Sequence, residues 1–145
     1  MKLSKRCVYG LQAAVRLAAR ESQGYTQSRD IAKHEHLPAK FLESILLSLR
    51  SAELLESKVG AGGGYRLAKP GNRITVTDVL GALEQEDDEP TIEQGTMTEG
   101  QHALANVNER IEEALKDAIG SLTLSELAEQ AAAELGKNTT PMYYI

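Results

Sequence analysis

The stretch TQSRDIAKHEHLPAKFLESILLSLRSAELLESKVGAGGGYRLAKP, from Thr26 to Pro70, constrains this chain most, because its punctuation changes period twice within 45 residues. A first short helix opens at Ser28, whose hydroxyl can cap free backbone N–H groups, and carries Ile31 and Ala32 inward. His36 and Leu37 form a turn. Pro38 suits the first turn of the next helix, where its missing N–H costs nothing, and Phe41, Leu42, Ile45, Leu46 and Leu49 then recur at helical spacing as a core face. The opposite face offers Lys40, Glu43, Ser44 and Leu47. Two short strands follow, separated by Gly60-Ala61-Gly62-Gly63-Gly64. Helix, turn, helix, strand, glycine-rich turn, strand is the order of a winged helix-turn-helix, a mainly α fold with a small β-wing. A second helix with a polar, exposed N-terminal end is what major-groove reading requires.

The surrounding elements follow from the same periodicities. Ser4 can cap a helix through Val8, Leu11, Val15 and Ala18 that runs until Gly24 and packs behind the helix-turn-helix. After the apolar Ile74-Thr75-Val76, Thr77 and Asp78 precede a helix through Val79, Leu80 and Leu83, which closes a DNA-binding domain over residues 1–83. Residues 84–100 are acidic and rich in Pro, Gly and Thr, and read as a loop. Leu104, Val107, Ile111, Leu115, Ala118 and Leu122 then recur every three or four residues while Glu109, Glu112, Glu113 and Lys116 take the other faces. A helix from Gln101 to Gly120 would be about 30 Å long at 1.5 Å per residue, too long for so small a domain to cover. Those six apolar residues are therefore expected to form a dimer interface. Thr123 caps a final helix through Glu134 within a unit spanning 101–135, and Gly136 to Pro141 begins a polar spacer leading into the tail, residues 136–145.

Charge is divided along the chain more sharply than the net −5 suggests. From Met1 to Thr75 there are 13 basic residues against 6 acids, a balance of +7; from Val76 onward there are 3 against 15, a balance of −12. A basic front can bind phosphates while an acidic rear keeps the protein soluble and orients it on DNA. Lys2, Lys5, Arg6, Ser28 and Arg29 are the expected phosphate contacts. Pro38, Ala39, Lys40, Glu43 and Ser44 are expected in the major groove, where Glu43 can accept from a cytosine amino group. Ser57, Lys58, Gly60, Gly62 and Arg66 are expected to form the wing's contact, with Lys58 and Arg66 supplying charge at its base.

Other chemistries fit poorly. The glycine run is not a phosphate-binding loop, since no Gly-Lys-Ser/Thr follows and a strand comes next. His34 and His36 are two apart and would diverge on a helix. Glu86, Asp87, Asp88 and Glu89 lack the ligand order of a calcium loop. A single cysteine, Cys7, cannot alone hold zinc or a cluster, although Lys5 and Arg6 beside it could make it a reactive thiolate and a redox sensor. No Ser/His/Asp order or paired carboxylates point to an enzyme. The N-terminus has no signal-peptide pattern and no stretch is apolar enough to span a membrane, so the cytoplasm is the expected location. A winged helix used only for protein contact is the alternative of a different class.

Four segments carry a family resemblance: MKLSKRCVYGLQA at the start, FLESILLSLRSAELLESKVGAGGGYRLA, ITVTDVLGALE and LTLSELAEQ. On these the chain resembles the winged-helix transcriptional regulators of the Rrf2 family, which includes iron-sulfur-cluster, nitric-oxide-sensing and cysteine-metabolism regulators. The resemblance implies dimerisation through the helix containing Ile111 and Leu115, the second helix of the motif in the major groove and the wing in the minor groove. Cluster-binding members carry three cysteines before the dimer helix, whereas Glu84 to His102 has none, so no cofactor is expected. Many members have Arg immediately before the first wing glycine, and this chain has Val59; Lys58 replaces the charge but not the planar guanidinium. The tail Pro141-Met142-Tyr143-Tyr144-Ile145 is apolar where a terminus is usually polar. Met142, Tyr143, Tyr144 and Ile145 either dock on their own dimer or enter a partner's pocket that captures the carboxylate. Regulators of cysteine metabolism in this family also lack the cluster cysteines, and a similar aromatic-aromatic-isoleucine ending there is associated with cysteine synthase. The resemblance thus implies cysteine synthase as a partner and repression of sulfur-metabolism genes.

Overall fold

The computed structural model describes residues 3–84 and 95–138. Helix α1 spans Lys5–Ala19 and opens where the Ser4 hydroxyl accepts from the Cys7 N–H at 3.2 Å. It stops at Ala19, and a single 3-10 turn over Glu21–Gln23 carries the chain to Gly24. Helices α2, Ser28–Glu35, and α3, Ala39–Ser51, are joined through His36 in the left-handed conformation, with the Leu37 N–H donating to Ala32 at 2.8 Å. Strands β1, Leu55–Lys58, and β2, Gly64–Leu67, pair antiparallel with Leu55 opposite Leu67 and Lys58 opposite Gly64. Helix α4 spans Val76–Leu83, α5 spans Glu99–Ile119 and α6 spans Leu124–Asn138. The outcome is the expected mainly α fold with a two-stranded wing.

The core lies where α1, α3 and α4 meet. Ala13, Ala14 and Leu17 of α1 pack with Ile31, with Leu42, Ile45, Leu46 and Leu49 of α3, and with Ile74, Val79 and Leu83. Gly10 sets the closest approach, since a Cβ there would stand 2.1 Å from Leu83 Cδ1 and 3.2 Å from Ile45 Cγ2. A glycine inside a helix costs propensity, and here it is offset by the contact it permits. Phe41, expected in the core, is exposed. The buried stripe of α3 starts at Leu42, about 100° further round the helix, and Phe41 instead meets Tyr9 edge to face with ring centres 5.6 Å apart.

Two caps differ from expectation for one reason, a backbone pinned from elsewhere in the chain. Thr26 exchanges both N–H···O bonds with Tyr65 at 2.8 Å, which holds the entry to α2 extended. Gln27 becomes the N-cap without a side-chain bond, and Ser28 is the first helical residue instead of the cap. Likewise Leu124 N–H donates to Ile74 and Val76 N–H to Leu122, both at 2.9 Å. The chain therefore stays extended through Thr75. It is Thr75, not Thr77, that caps α4, in a reciprocal box: the Asp78 N–H donates to its hydroxyl at 3.1 Å and its own N–H donates to Asp78 Oδ2 at 2.9 Å. Pro38 is similarly the residue before α3, not its first.

The rear of the chain divides in two. Thr123 caps α6 as expected, accepting from the Glu126 N–H at 3.2 Å, but the helix continues through Gly136 to Asn138 where the spacer was expected. Leu124 is fully buried and α6 packs along α1. By contrast α5 has no buried residue among Glu99–Ile119. Leu104, Val107, Leu115 and Ala118 are exposed and Ile111 is half-buried. Leu122 lies beyond the helix end and packs partly on the core of its own chain, so it is not part of the α5 stripe.

Candidate nucleic-acid interface

Helix α3 is held by one face and presents the other. With Leu42, Ile45, Leu46 and Leu49 in the core, Pro38, Ala39, Lys40, Glu43, Ser44 and Leu47 are exposed at the leading end and outer side. Lys40, then Glu43 and Ser44, then Leu47 follow one another at three or four residues and form a continuous ridge, polar except for Leu47, of a shape a groove can admit. Arg6, expected to contact phosphate, makes hydrogen bonds within the chain. Its guanidinium donates to Ser44 Oγ at 3.2 Å and to Ser48 Oγ, while its Nε is buried without an acceptor. It braces α3 against α1 and orients the Ser44 hydroxyl.

The wing is built around backbone constraints. Gly60 and Gly62 have φ of +93° and +73°, and a Cβ on Gly63 would stand 2.2 Å from the Lys58 carbonyl oxygen. Only glycines allow so tight a tip. Val59 stands 96% exposed at this tip, Lys58 is exposed and Ser57, opposite Tyr65, is half-buried. Arg66 is not the free charge expected. It forms an ion pair with Glu56 directly across the strand, and that hydrogen bond holds its already high pKa further up. Its guanidinium also lies over the Tyr25 ring at 4.4 Å, with Lys58 Nζ at 6.0 Å from the same ring. Tyr25 thus collects two wing cations, a role not visible in sequence because it precedes the wing by more than 30 residues.

Of the expected phosphate contacts, Lys5 and Arg29 are exposed at the starts of α1 and α2, and Ser28 is half-buried. Lys2, the acids from Glu86 to Glu89, and the tail residues Met142, Tyr143, Tyr144 and Ile145 lie outside the described residues. Sequence reading passed over Arg16 and Arg20, although their spacing of four on α1 was a signal that they share a face. Cys7 is buried in the core, which removes the exposure a thiol sensor needs.

A family model described as "Iron-dependent Transcriptional regulator", Rrf2, matches residues 3–130. The chain belongs to the Rrf2 family of transcriptional regulators. It is 32% identical to the HTH-type transcriptional regulator CymR of Bacillus subtilis over 145 residues, all of both chains. It is 38% identical to protein rrf2 of Nitratidesulfovibrio vulgaris over 59% of this chain and 57% of that one. Among solved structures, CymR of B. subtilis, titled the global cysteine regulator, superposes with a TM-score of 0.70 at 31% identity, covering 90% of this chain and 98% of that one. IscR of T. potens superposes with a TM-score of 0.72 at 28% identity, covering 90% and 88%.

The family description implies iron, and the donors of this chain do not fit it. Cys7 is the single cysteine and is buried, and among the described residues no three His, Cys, Asp or Glu side chains converge on a point. Thiolate and imidazole donors are what iron and cluster sites use. No helix of the described residues is long and apolar enough to cross a membrane.

Proposed function

We propose that the protein is a cytoplasmic homodimeric repressor that binds a pseudo-palindromic DNA site and controls genes of cysteine or sulfur metabolism. The observation that carries this reading is the exposed leading edge of α3, with Lys40, Glu43 and Ser44 presented by a helix whose other face is fixed in the core. In the proposed complex these three read base edges, Pro38 and Ala39 approach the backbone, and Lys5, Ser28 and Arg29 hold phosphates. Ser57, Lys58, Gly60 and Gly62 bring the wing to the adjacent minor groove. The uncovered stripe of Leu104, Val107, Ile111 and Leu115 meets the same stripe of a second copy. The cysteine branch is supported by full-length similarity to CymR, a cysteine regulator, and by a chain with no cluster cysteines. Cysteine synthase, receiving Ile145 and its carboxylate, is the proposed partner of the tail.

Fluorescence anisotropy tests the reading with the gene's own upstream duplex and a scrambled duplex at low and high salt. The expected preference is about a thousandfold and survives the higher salt, and Glu43→Ala changes the preference at one base pair. Cysteine synthase alters occupancy, and deleting Tyr144 and Ile145 abolishes its effect. Equal, weak and salt-sensitive binding to both duplexes would leave a winged helix that contacts only protein. A synthase effect that survives the deletion would remove the tail from the mechanism.

A further inference from the structure

Where α1, the start of α2 and the tip of the wing come together, an open cleft of about 390 Å³ gathers Arg16, Arg20 and Arg29 around Asp30, Gly62 and Gly63. Arg20 is pinned by its Nε, which donates to Thr26 Oγ1 at 3.3 Å and leaves its two terminal nitrogens for another acceptor. Arg16 Nε is buried and donates to nothing. Among the described residues none of the three arginines is in an ion pair, so one carboxylate, Asp30, faces three cations. The α2 N-terminus adds to this, because Gln27 gives it no side-chain cap and its leading N–H groups carry the positive end of the helix dipole. Three guanidinium forks repel one another unless an anion lies between them, and their planar geometry matches tetrahedral oxyanions.

We infer that this cleft seats one oxyanion of phosphate geometry, supplied in the complex by a backbone phosphate of the duplex. The inference rests on the DNA-binding reading and deepens it. Arg29 comes from α2, the helix preceding α3, and Gly62 and Gly63 come from the wing, so the cleft adjoins the wing on its α2 side, while α3 and the wing are the elements proposed to enter adjacent grooves. One strand's backbone must pass between those grooves. Free inorganic phosphate or sulfate presents the same oxygens and is the other source.

The test uses the full chain with Arg20→Gln and Arg29→Gln, each checked for an unchanged thermal midpoint. With a phosphate of the duplex in the cleft, each variant weakens upstream and scrambled duplexes alike, by about tenfold, and flattens the slope of log affinity against log salt by about one. A single neutral methylphosphonate walked along each strand then reproduces the loss at one position, where Arg20→Gln has no further effect. In a second arm, sodium phosphate is titrated against sodium chloride at matched ionic strength while the Arg16 Nε–H resonance is followed. A saturable shift that competes with duplex supports the duplex phosphate as occupant, and a saturable shift that persists unchanged on the duplex-bound protein assigns the cleft to a free anion. A saturable shift in a protein that binds no duplex keeps the oxyanion site and removes the DNA reading. Normal duplex binding with unchanged slopes, additive methylphosphonate effects and no phosphate-specific shift overturns the site and leaves the DNA reading standing. Failure of both arms removes both.

Discussion

Helices α3 and α5 carry the same kind of apolar stripe, residues three and four apart on one face, and they end in opposite environments. On α3, Leu42, Ile45 and Leu46 are completely buried against α1 and α4. On α5, Leu104 and Val107 keep 51% and 50% of their surface and Leu115 keeps 38%. Periodicity states that a helix needs a cover without stating what supplies it. For α3 the cover lies within the chain, and the exposed face is left polar. For α5 the described chain covers chiefly the C-terminal end, where Ile119 packs on the core, and the rest is held by its own backbone bonds and its N-terminal cap. An isolated helix of this length is marginal in water, so a stripe left open over several turns supports the proposed second copy as its cover.

Charging the open stripe attacks that comparison most strongly. Val107→Asp places a carboxylate on each side of the proposed interface, and leaving both unpaired there is expected to raise the dimer dissociation constant by at least about a thousandfold, roughly 4 kcal/mol. Sedimentation equilibrium reads the shift directly. An unchanged dimer would mean that α5 is covered by something other than its own copy.

The matching change in α3 has a smaller effect on a different quantity. Ile45→Ala removes a fully buried side chain that touches both α1 and the Gly10 contact, and is expected to lower the unfolding free energy by about 3 kcal/mol in urea titration. The loss should be the same at every protein concentration, because the packing is within one chain. A loss under about 1 kcal/mol would show that the three-helix core collapses around the gap.

How far each region was legible follows from whether its determinants are local. The α3 stripe from Leu42 to Leu49, the Ser4 cap, the two strands of the wing and the Thr123 cap could be read from neighbouring residues, and the structure places them as expected, with Phe41 the one member of the stripe left exposed. Ser28, Thr77 and Pro38 each looked like helix starters, yet the boundary shifted by one or two residues at all three. At the first two, a residue distant in sequence fixed the backbone: Tyr65 held Thr26, and Leu124 held Ile74. Arg66 could be recognised as wing charge but not as paired, because Glu56 faces it only once the register of β1 on β2 is known. Arg16 and Arg20 shared a visible face, whereas the glycines that close their cleft are more than 40 residues away. The stripe of α6 has the same period whether it packs on α1 or elsewhere, so its place against the winged helix was not readable either.

Two capping boxes, one in each region, give the finest comparison. Thr75 and Asp78 bond reciprocally at the start of α4, and Thr98 and Gln101 do the same at the start of α5, with the Gln101 N–H donating to Thr98 Oγ1 at 3.2 Å and the Thr98 N–H to Gln101 Oε1 at 2.8 Å. Chemically similar substitutions, Thr75→Ala and Thr98→Ala, each remove one acceptor and are each expected to cost about 1 kcal/mol. The difference is where that cost is read. Helix α4 is part of the core, so Thr75→Ala lowers the thermal midpoint equally in dilute and concentrated protein. In the proposed dimer α5 gains its order with its partner and both copies lose the cap, so Thr98→Ala raises the dimer dissociation constant about thirtyfold and lowers the midpoint most in dilute protein, where dissociation precedes melting. Concentration-independent shifts from both would place α5 inside the same cooperative unit as α4, and would remove the distinction between a helix covered by its own chain and one waiting for a copy.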